Sequence, residues 1–327
     1  MKKILLDCDP GHDDMIAMML ALSRPEIKVL GITTVAGNQT GAKTFRNALK
    51  VLTLIGRYDI PVARGFDKPI VRDLVTAPNI HGVSGLDGAD LPEPDVKPLK
   101  IHAIDFIIET LERGTEKVYL VPTGPLTNIA VALIKAPKIK EKVERIVLMG
   151  GAAFDSNVTP ASEFNIFVDP EAARIVFESG IPITMVGLDV TNKAVLNFED
   201  IDTLEKMQGK VSKVVAPLLR FFATANKEIF GINGAPLHDA LAVSYLIDET
   251  ILKTKYLHVD IETKGEFTRG ETVVDIYGIT KKEPNADVAI DLNLPKFKKL
   301  IFESIEALDK PAKIDLNGPF YSQKREK

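Results

Sequence analysis

Short apolar runs that end in Gly, Pro or acidic residues, each followed by a helix-forming stretch, recur along this chain and most constrain its fold. Residues 4–6 run into Asp7, Asp9 and Pro10-Gly11 and then into a segment rich in Met, Ala and Leu. Residues 29–35 lead through Gly37 to a helical pattern at 42–55, and residues 118–121 lead through Gly124-Pro125 to another at 126–134. Branched runs at 146–149 and 183–186 flank Asp169-Pro170-Glu171, which reads as the cap and first turn of a helix. Strands so short and so continuously apolar need cover on both faces, which parallel βαβ units provide. The expected fold class is α/β, an open, mostly parallel sheet flanked by helices. The C-terminal half adds helical patterns at 199–230 and 239–247 and late strands at 256–261 and 272–276.

A length of 327 residues would allow two domains at roughly 150 residues each. No low-complexity linker and no repeat divides the sequence, so one domain over 1–327 is expected, with the Lys-rich ending at 324–327 a solvated tail. The 45 acids against 41 bases give a formal charge of −4, which offers no general attraction to nucleic acid or anionic lipid. The single Cys8 excludes a disulfide framework and suits a reducing cytoplasm. The opening Met-Lys-Lys-Ile-Leu-Leu imitates a signal peptide, but Asp7, Asp9, Asp13 and Asp14 interrupt it, and the apolar stretch 15–22 is too short to span a bilayer.

The chemistry concentrates in Asp7-Cys8-Asp9-Pro10-Gly11-His12-Asp13-Asp14, four carboxylates within eight residues at the end of the first strand. In open α/β sheets that carboxyl edge is where ligands bind. Two unit charges about 4 Å apart repel by roughly 4 kcal/mol at an effective dielectric near 20. A helix N-terminus returns only about 0.3 to 1 kcal/mol per acid. A bound cation answers the repulsion better than helix capping by Asp13 and Asp14 with Asp7 and Asp9 left in solvent. No Cys or His cluster has tetrahedral-metal spacing, so all-oxygen ligation points to Ca²⁺ or Mg²⁺. Other polar loops follow other strands: Val35-Ala36-Gly37-Asn38, Pro122-Thr123-Gly124-Pro125 and Met149-Gly150-Gly151. The segment from Asn157 through Glu163 to Asn165 supplies side chains able to hold hydroxyl groups, and Leu237-His238-Asp239-Ala240 opens a helix with a His and a carboxylate.

Asp9-Pro10-Gly11-His12-Asp13-Asp14 is similar to the Asp-Pro-Gly-x-Asp-Asp signature of the inosine-uridine preferring nucleoside hydrolases. The loops at Asn38, Thr123, Met149, Glu163 to Asn165 and His238-Asp239 fall in that family's order, so the resemblance covers residues 1 to about 245. It implies hydrolysis of the N-glycosidic bond of ribonucleosides, in nucleoside salvage. By resemblance, Asp9, Asp14, the Thr123 carbonyl and Asp239 would hold Ca²⁺, which also takes water and the ribose 2′- and 3′-hydroxyls. Asp13, Asn38, Asn157, Glu163 and Asn165 would grip the ribose, with Met149 packed beneath it. Asp9 would accept the proton of the ion-held water as it attacks C1′, and His238, expected to titrate near neutrality, would protonate the leaving base. His81 would reach the base from a loop at 65–98 that reads as mobile. The family's members are commonly homodimers or homotetramers.

Other residues carry blander expectations. His12 reads as packing or support at the helix start, Cys8 as buried filler, and His102 and His258 as structural. Ser162 before Glu163 and Asp87 in Gly85-Leu86-Asp87-Gly88 depart from the family pattern without touching a proposed ligand. The absence of Trp disfavours the purine-specific branch that stacks its base on Trp, leaving a pyrimidine or broad inosine/uridine preference, and Phe167, Phe222, Phe230 and Tyr245 could form the base wall or belong to the core. Two rival functions remain. Gly37-Asn38-Gln39-Thr40-Gly41-Ala42-Lys43-Thr44 nearly matches a phosphate-binding P-loop, and a non-catalytic ribose-binding protein would share the same site without turnover.

Overall fold

Along the first strand, β1 (Lys2–Cys8), side chains alternate between two cores: Ile4, Leu6 and Cys8 join one apolar cluster and Leu5 joins the other. This double burial is the physical counterpart of the continuous apolar runs in the sequence. The structure, a computed structural model, describes residues 1–310; the Lys-rich ending at 324–327 lies outside the described residues.

The other strands are β2 (Ile27–Thr34), β3 (Val62–Arg64), β4 (Val118–Pro122), β5 (Val143–Met149), β6 (Ile183–Val186), β7 (Val195–Leu196), β8 (Ala235–Pro236), β9 (Leu252–Ile261), β10 (Thr272–Asp275) and β11 (Ala286–Leu292). Among the described residues, nine of the eleven strands form one sheet in the order β10-β9-β11-β6-β5-β4-β1-β2-β3, and β7 pairs with β8. From β3 across to β11 the neighbours are parallel; β9 and β10 add an antiparallel edge.

The chain builds outward from β1 through β2 to β3, then returns to place β4 on the other side of β1. Ligands bind at such a switch point, outside the carboxyl ends of the strands. The helices His12–Ser23, Gly41–Ile55, Ser212–Phe230, His238–Ile247 and Leu294–Asp309 cover one face, and Ala103–Arg113, Thr127–Lys135 and Pro170–Phe177 cover the other. Helix His12–Ser23 is buried from His12 to Leu22, packed between its neighbours, so no polar face marks it in the sequence.

The expected helix at 199–230 is two helices, Phe198–Met207 and Ser212–Phe230, because Gln208 adopts a left-handed conformation (φ 55°) that ends the first. Strands β3 and β11 and the helices Ala103–Arg113 and Leu294–Asp309 go beyond the sequence reading. β3 has three residues, too few for a periodicity, and the apolar run of β11 is interrupted by Asp291 and by Asp287, which pairs with Arg145 of β5 at 2.5 Å. Among the described residues no helix is long and apolar enough to cross a membrane.

Candidate active site

The turn after β1 brings its acids into the protein, not into solvent. Asp7, Asp9 and Asp14 are 1 %, 0 % and 0 % exposed, which removes the helix-capping alternative with solvated acids. Asp7 points away from the cluster, accepting from Thr33 Oγ1 at 2.6 Å and Asn128 Nδ2 at 2.8 Å. Asp14, in the first turn of helix His12–Ser23, accepts from Gly11 N (3.0 Å), Asn38 Nδ2 (3.2 Å) and Thr123 Oγ1 (2.8 Å). Asp9 accepts the backbone N–H of Asn38 on Oδ2 at 2.6 Å, while its buried Oδ1 has no hydrogen-bond partner among the described residues. Two glycines make room for that carboxylate: a Cβ on Gly37 would lie 2.1 Å from Oδ2, and one on Gly124 would lie 2.4 Å from Oδ1.

Helix His238–Ile247 closes the cluster from the far end of the chain. Asp13, Asp14 and Asp239 each present a carboxylate oxygen, all within 4.8 Å of one another. Asp9 stands beside this group and not within it. Burial, reinforced by Asp14, lifts the Asp13 carboxyl to about 7, and burial with the neighbouring acids lifts Asp9 and Asp239 well above the usual carboxylate range. Among the described residues Asp13 Oδ1 also has no hydrogen-bond partner, nor has Asp7 Oδ2 outside the group. Crowded acids with orphaned oxygens and no basic side chain bonded to them fit a hard cation.

The expected ribose-binding groups surround this floor. Asp13, Asn38, Thr123, Met149, Asn157, Glu163, Asn165, His238 and Asp239 line one cavity together with His81. Asp9 and Asp14 lie behind its surface. Asn165 Nδ2 donates to the Thr123 carbonyl at 2.8 Å and the Met149 carbonyl at 3.2 Å, tying β4 and β5 together at their carboxyl ends. Glu163 caps the short helix Phe164–Val168, accepting from Asn165 N at 2.9 Å and Ile166 N at 3.1 Å, and also from Gly151 N at 2.9 Å. Burial outweighs those three donors and raises its carboxyl to about 7. Asn157 Oδ1 accepts from Phe164 N at 2.8 Å, which fixes the other end of the loop.

Opposite the acids the wall is apolar. Phe222 and Phe230 line the cavity; Phe167 instead sits under the Arg269 guanidinium at 4.2 Å, and Tyr245 packs against the core. His238 holds its Nδ1 2.8 Å from Thr191 Oγ1, and burial pushes its imidazole down to about 4. The expected near-neutral titration is therefore replaced by an uncharged ring at neutral pH. His81 is 6 % exposed at the end of the helical turn Pro78–His81. The segment read as mobile is anchored here, with Ala77 N donating to Asn38 O at 3.0 Å and Ile70 N to Asp169 Oδ2 at 2.9 Å.

The family model for inosine-uridine preferring nucleoside hydrolases matches residues 4–299. The chain belongs to that family. This nucleoside hydrolase, an enzyme acting on N-glycosyl compounds, is 50% identical over 304 residues to the pyrimidine-specific ribonucleoside hydrolase RihA of Escherichia fergusonii, covering 93% of this chain and 98% of that one. The RihA of Shewanella oneidensis is also 50% identical, over 305 residues, covering 93% of this chain and 96% of its own. A solved structure, the purine-preferring ribonucleoside hydrolase from Gardnerella vaginalis, superposes with a TM-score of 0.89 at 35% identity, covering 95% of this chain and 100% of that chain.

In this hydrolase the P-loop-like segment serves the acid cluster. The amide of Asn38 is already committed to the Asp9 carboxylate, an anion standing where a phosphate would need to approach. Lys43 Nζ is turned to the Gln39 side chain at 3.2 Å and the Val83 carbonyl at 2.5 Å. Several contributors went beyond the sequence reading. Asn226, one helical turn after Phe222, lines the cavity and spends its Nδ2 on the Phe222 carbonyl at 2.9 Å. Thr191 holds His238, and nothing in Asp189-Val190-Thr191-Asn192-Lys193 marks that role in the sequence.

Proposed function

We propose that this nucleoside hydrolase cleaves pyrimidine ribonucleosides, with uridine and cytidine as substrates, and that it does so with Ca²⁺ held by Asp14, Asp239, the Thr123 carbonyl and Asp9. The observation that carries the reading is the buried group Asp13, Asp14 and Asp239, with unpartnered oxygens on Asp9 and Asp13, at the floor of a cavity ringed by amides. The full-length likeness to pyrimidine-specific relatives supports the choice of base. Bound there, the cation supplies a fixed electrostatic anchor for water and a ribose diol.

The residues of the chain do the rest. Asp13, Asn38, Asn157, Glu163 and Asn165 offer acceptors and donors in the mixture a polyol needs, and Met149 supplies an apolar floor. Asp9 takes a proton from the attacking water as its oxygen bonds to C1′. The C1′–N bond breaks through an oxocarbenium-like state, and its electron pair leaves with the base. His238, uncharged and steadied by Thr191, donates a hydrogen bond that stabilises the growing negative charge of the departing base, which takes its proton from solvent. Phe222 and Phe230 shield that side from water. Steady-state release of ribose from uridine, cytidine, inosine and adenosine tests the assignment. Uridine and cytidine should exceed the purine substrates at least tenfold in kcat/KM, and a purine preference would overturn the choice of base.

A further inference from the structure

Three side chains along the helix Gly41–Ile55 reach across to the loop that follows His81. Lys43 and Asn47 lie four apart on one face of that helix, and Gln39, four residues before Lys43, leads into it. Gln39 Nε2 donates to the Gly82 carbonyl at 2.9 Å, Lys43 Nζ to the Val83 carbonyl at 2.5 Å and Asn47 Nδ2 to the Ser84 carbonyl at 3.0 Å. Three successive carbonyls thus meet three donors in order. Lys43 also donates to Gln39 Oε1 at 3.2 Å; an ammonium only donates, so the Gln39 amide is turned with its nitrogen to the loop.

The opposite edge of the loop is held as well. The Asp87 carboxylate accepts from Val83 N at 2.8 Å and Ser84 N at 3.0 Å. Gly85 (φ +88°) lets the chain come this close to the helix, since a Cβ there would lie 2.9 Å from Asn47 Nδ2. Val83 and Ser84 are exposed, so water would satisfy their carbonyls without Lys43 or Asn47. What the row of donors adds is placement. Directly before the loop, Ala77, Asn79, Ile80 and His81 line the cavity. Asn47 Nδ2 also donates to the Pro10 carbonyl in the acid turn at 3.0 Å, and from that turn His12 N donates to His81 Nδ1 at 3.3 Å. The loop and the acid turn are fastened to the same helix and to each other.

We propose that Gln39, Lys43 and Asn47 are positioning residues that hold the segment 77–84 against the acid turn and so build the base side of the cavity before substrate arrives. None of the three lines the cavity; they act through the loop. The inference rests on the nucleoside reading of the cavity. It gives Lys43 of the P-loop-like segment a purpose, since its ammonium takes a backbone carbonyl where a P-loop lysine takes a phosphate. A wall ordered in advance spares the substrate the cost of ordering it. When the ordered fraction falls, apparent affinity falls by the same factor, while the saturated complex turns over as before.

Lys43→Met keeps an unbranched side chain and removes the donor. With uridine it should raise KM about fivefold and leave kcat within about twofold of the wild type. Ribose reaches only the acid side, so its inhibition constant should stay within about twofold, and Lys43→Arg, which still donates, should bring KM back to about the wild-type value. Hydrogen exchange read by mass spectrometry on the full-length protein is independent of turnover. Amides of 77–84 should exchange about threefold faster in Lys43→Met and in Asn47→Leu, with those of β4 unchanged. Unchanged exchange at 77–84 in both variants overturns the proposal. So does an unchanged KM for uridine in Lys43→Met, or a ribose constant that rises in step with KM. Failure of the functional reading looks different: the wild type would release ribose from no nucleoside, and the exchange comparison would still decide whether the row holds the loop.

Discussion

The backbone N–H of Asn38 donates to Asp9 Oδ2 at 2.6 Å and leaves Oδ1 as the buried, unpartnered oxygen of that carboxylate. One oxygen is thus used to orient the side chain and the other is free to accept a proton. The glycines at 37 and 124 exist in this arrangement to let two strand-end loops close on Asp9.

Gly124→Ala places a Cβ 2.4 Å from Asp9 Oδ1, so it should displace that oxygen. Turnover should fall at least tenfold while the circular dichroism spectrum stays native, because misplacing a catalytic group by about an ångström costs on that scale or more. Wild-type turnover in this variant would show that Asp9 needs no such confinement.

Crowding of Asp13, Asp14 and Asp239 predicts a crossover in stability. In chelated protein, Asp239→Asn removes an acid that burial and its neighbours hold out of its ionised form, and should melt at or above the wild type. With Ca²⁺ added, the order should reverse, since binding at 100 times Kd adds about 2.7 kcal/mol to whichever protein binds. Thermal melts of both proteins with and without Ca²⁺ check this, and a wild-type melting temperature indifferent to Ca²⁺ would contradict the calcium assignment.

Glu163 predicts a pH dependence. Its carboxyl is raised by burial from 4.5 to about 7, so between those values the folded state holds a proton that the unfolded state has lost. Stability must fall as pH rises through that window, by on the order of 3 kcal/mol for this group alone. Measured by urea unfolding of chelated protein, the wild type should lose that much relative to Glu163→Gln between pH 4.5 and pH 7.5. Parallel curves for the two proteins would show that Glu163 is ionised throughout.

His238 is held neutral and steadied by Thr191, so its contribution should depend on the leaving group. His238→Ala should lower kcat with uridine by about 10² to 10⁴. A riboside whose leaving group departs without protonation should lose far less. Equal losses on both substrates would remove His238 from stabilising the leaving group.

Much of this site was legible in the sequence because the fold class dictates where strand ends converge. Once 4–6, 29–35, 118–121 and 146–149 read as parallel strands, the polar loops after them had to share an edge, and Asn38, Thr123 and Met149 do line one cavity. Residue spacing alone, without the family resemblance, does not separate Asp7 from the clustered acids. Asp7 and Asp9 alternate with buried Cys8 in the same way, yet Asp7 is taken up by Thr33 and Asn128, partners distant in sequence. Side-chain stacking was equally hidden: nothing in Asp9-Pro10-Gly11-His12 indicates that His12 lies against His81 and Phe222. The ordinary pKa of a histidine misled at His238, because burial depends on helices that pack from elsewhere in the chain.

Hydrolysis of a pyrimidine ribonucleoside by the proposed route requires Asp9 to accept a proton. Ribose release from uridine by wild type and Asp9→Asn, in the same Ca²⁺-containing buffer, tests it most directly. The wild type should turn over, and Asp9→Asn should lose at least about 10²-fold in kcat. Comparable rates from the two proteins would contradict it.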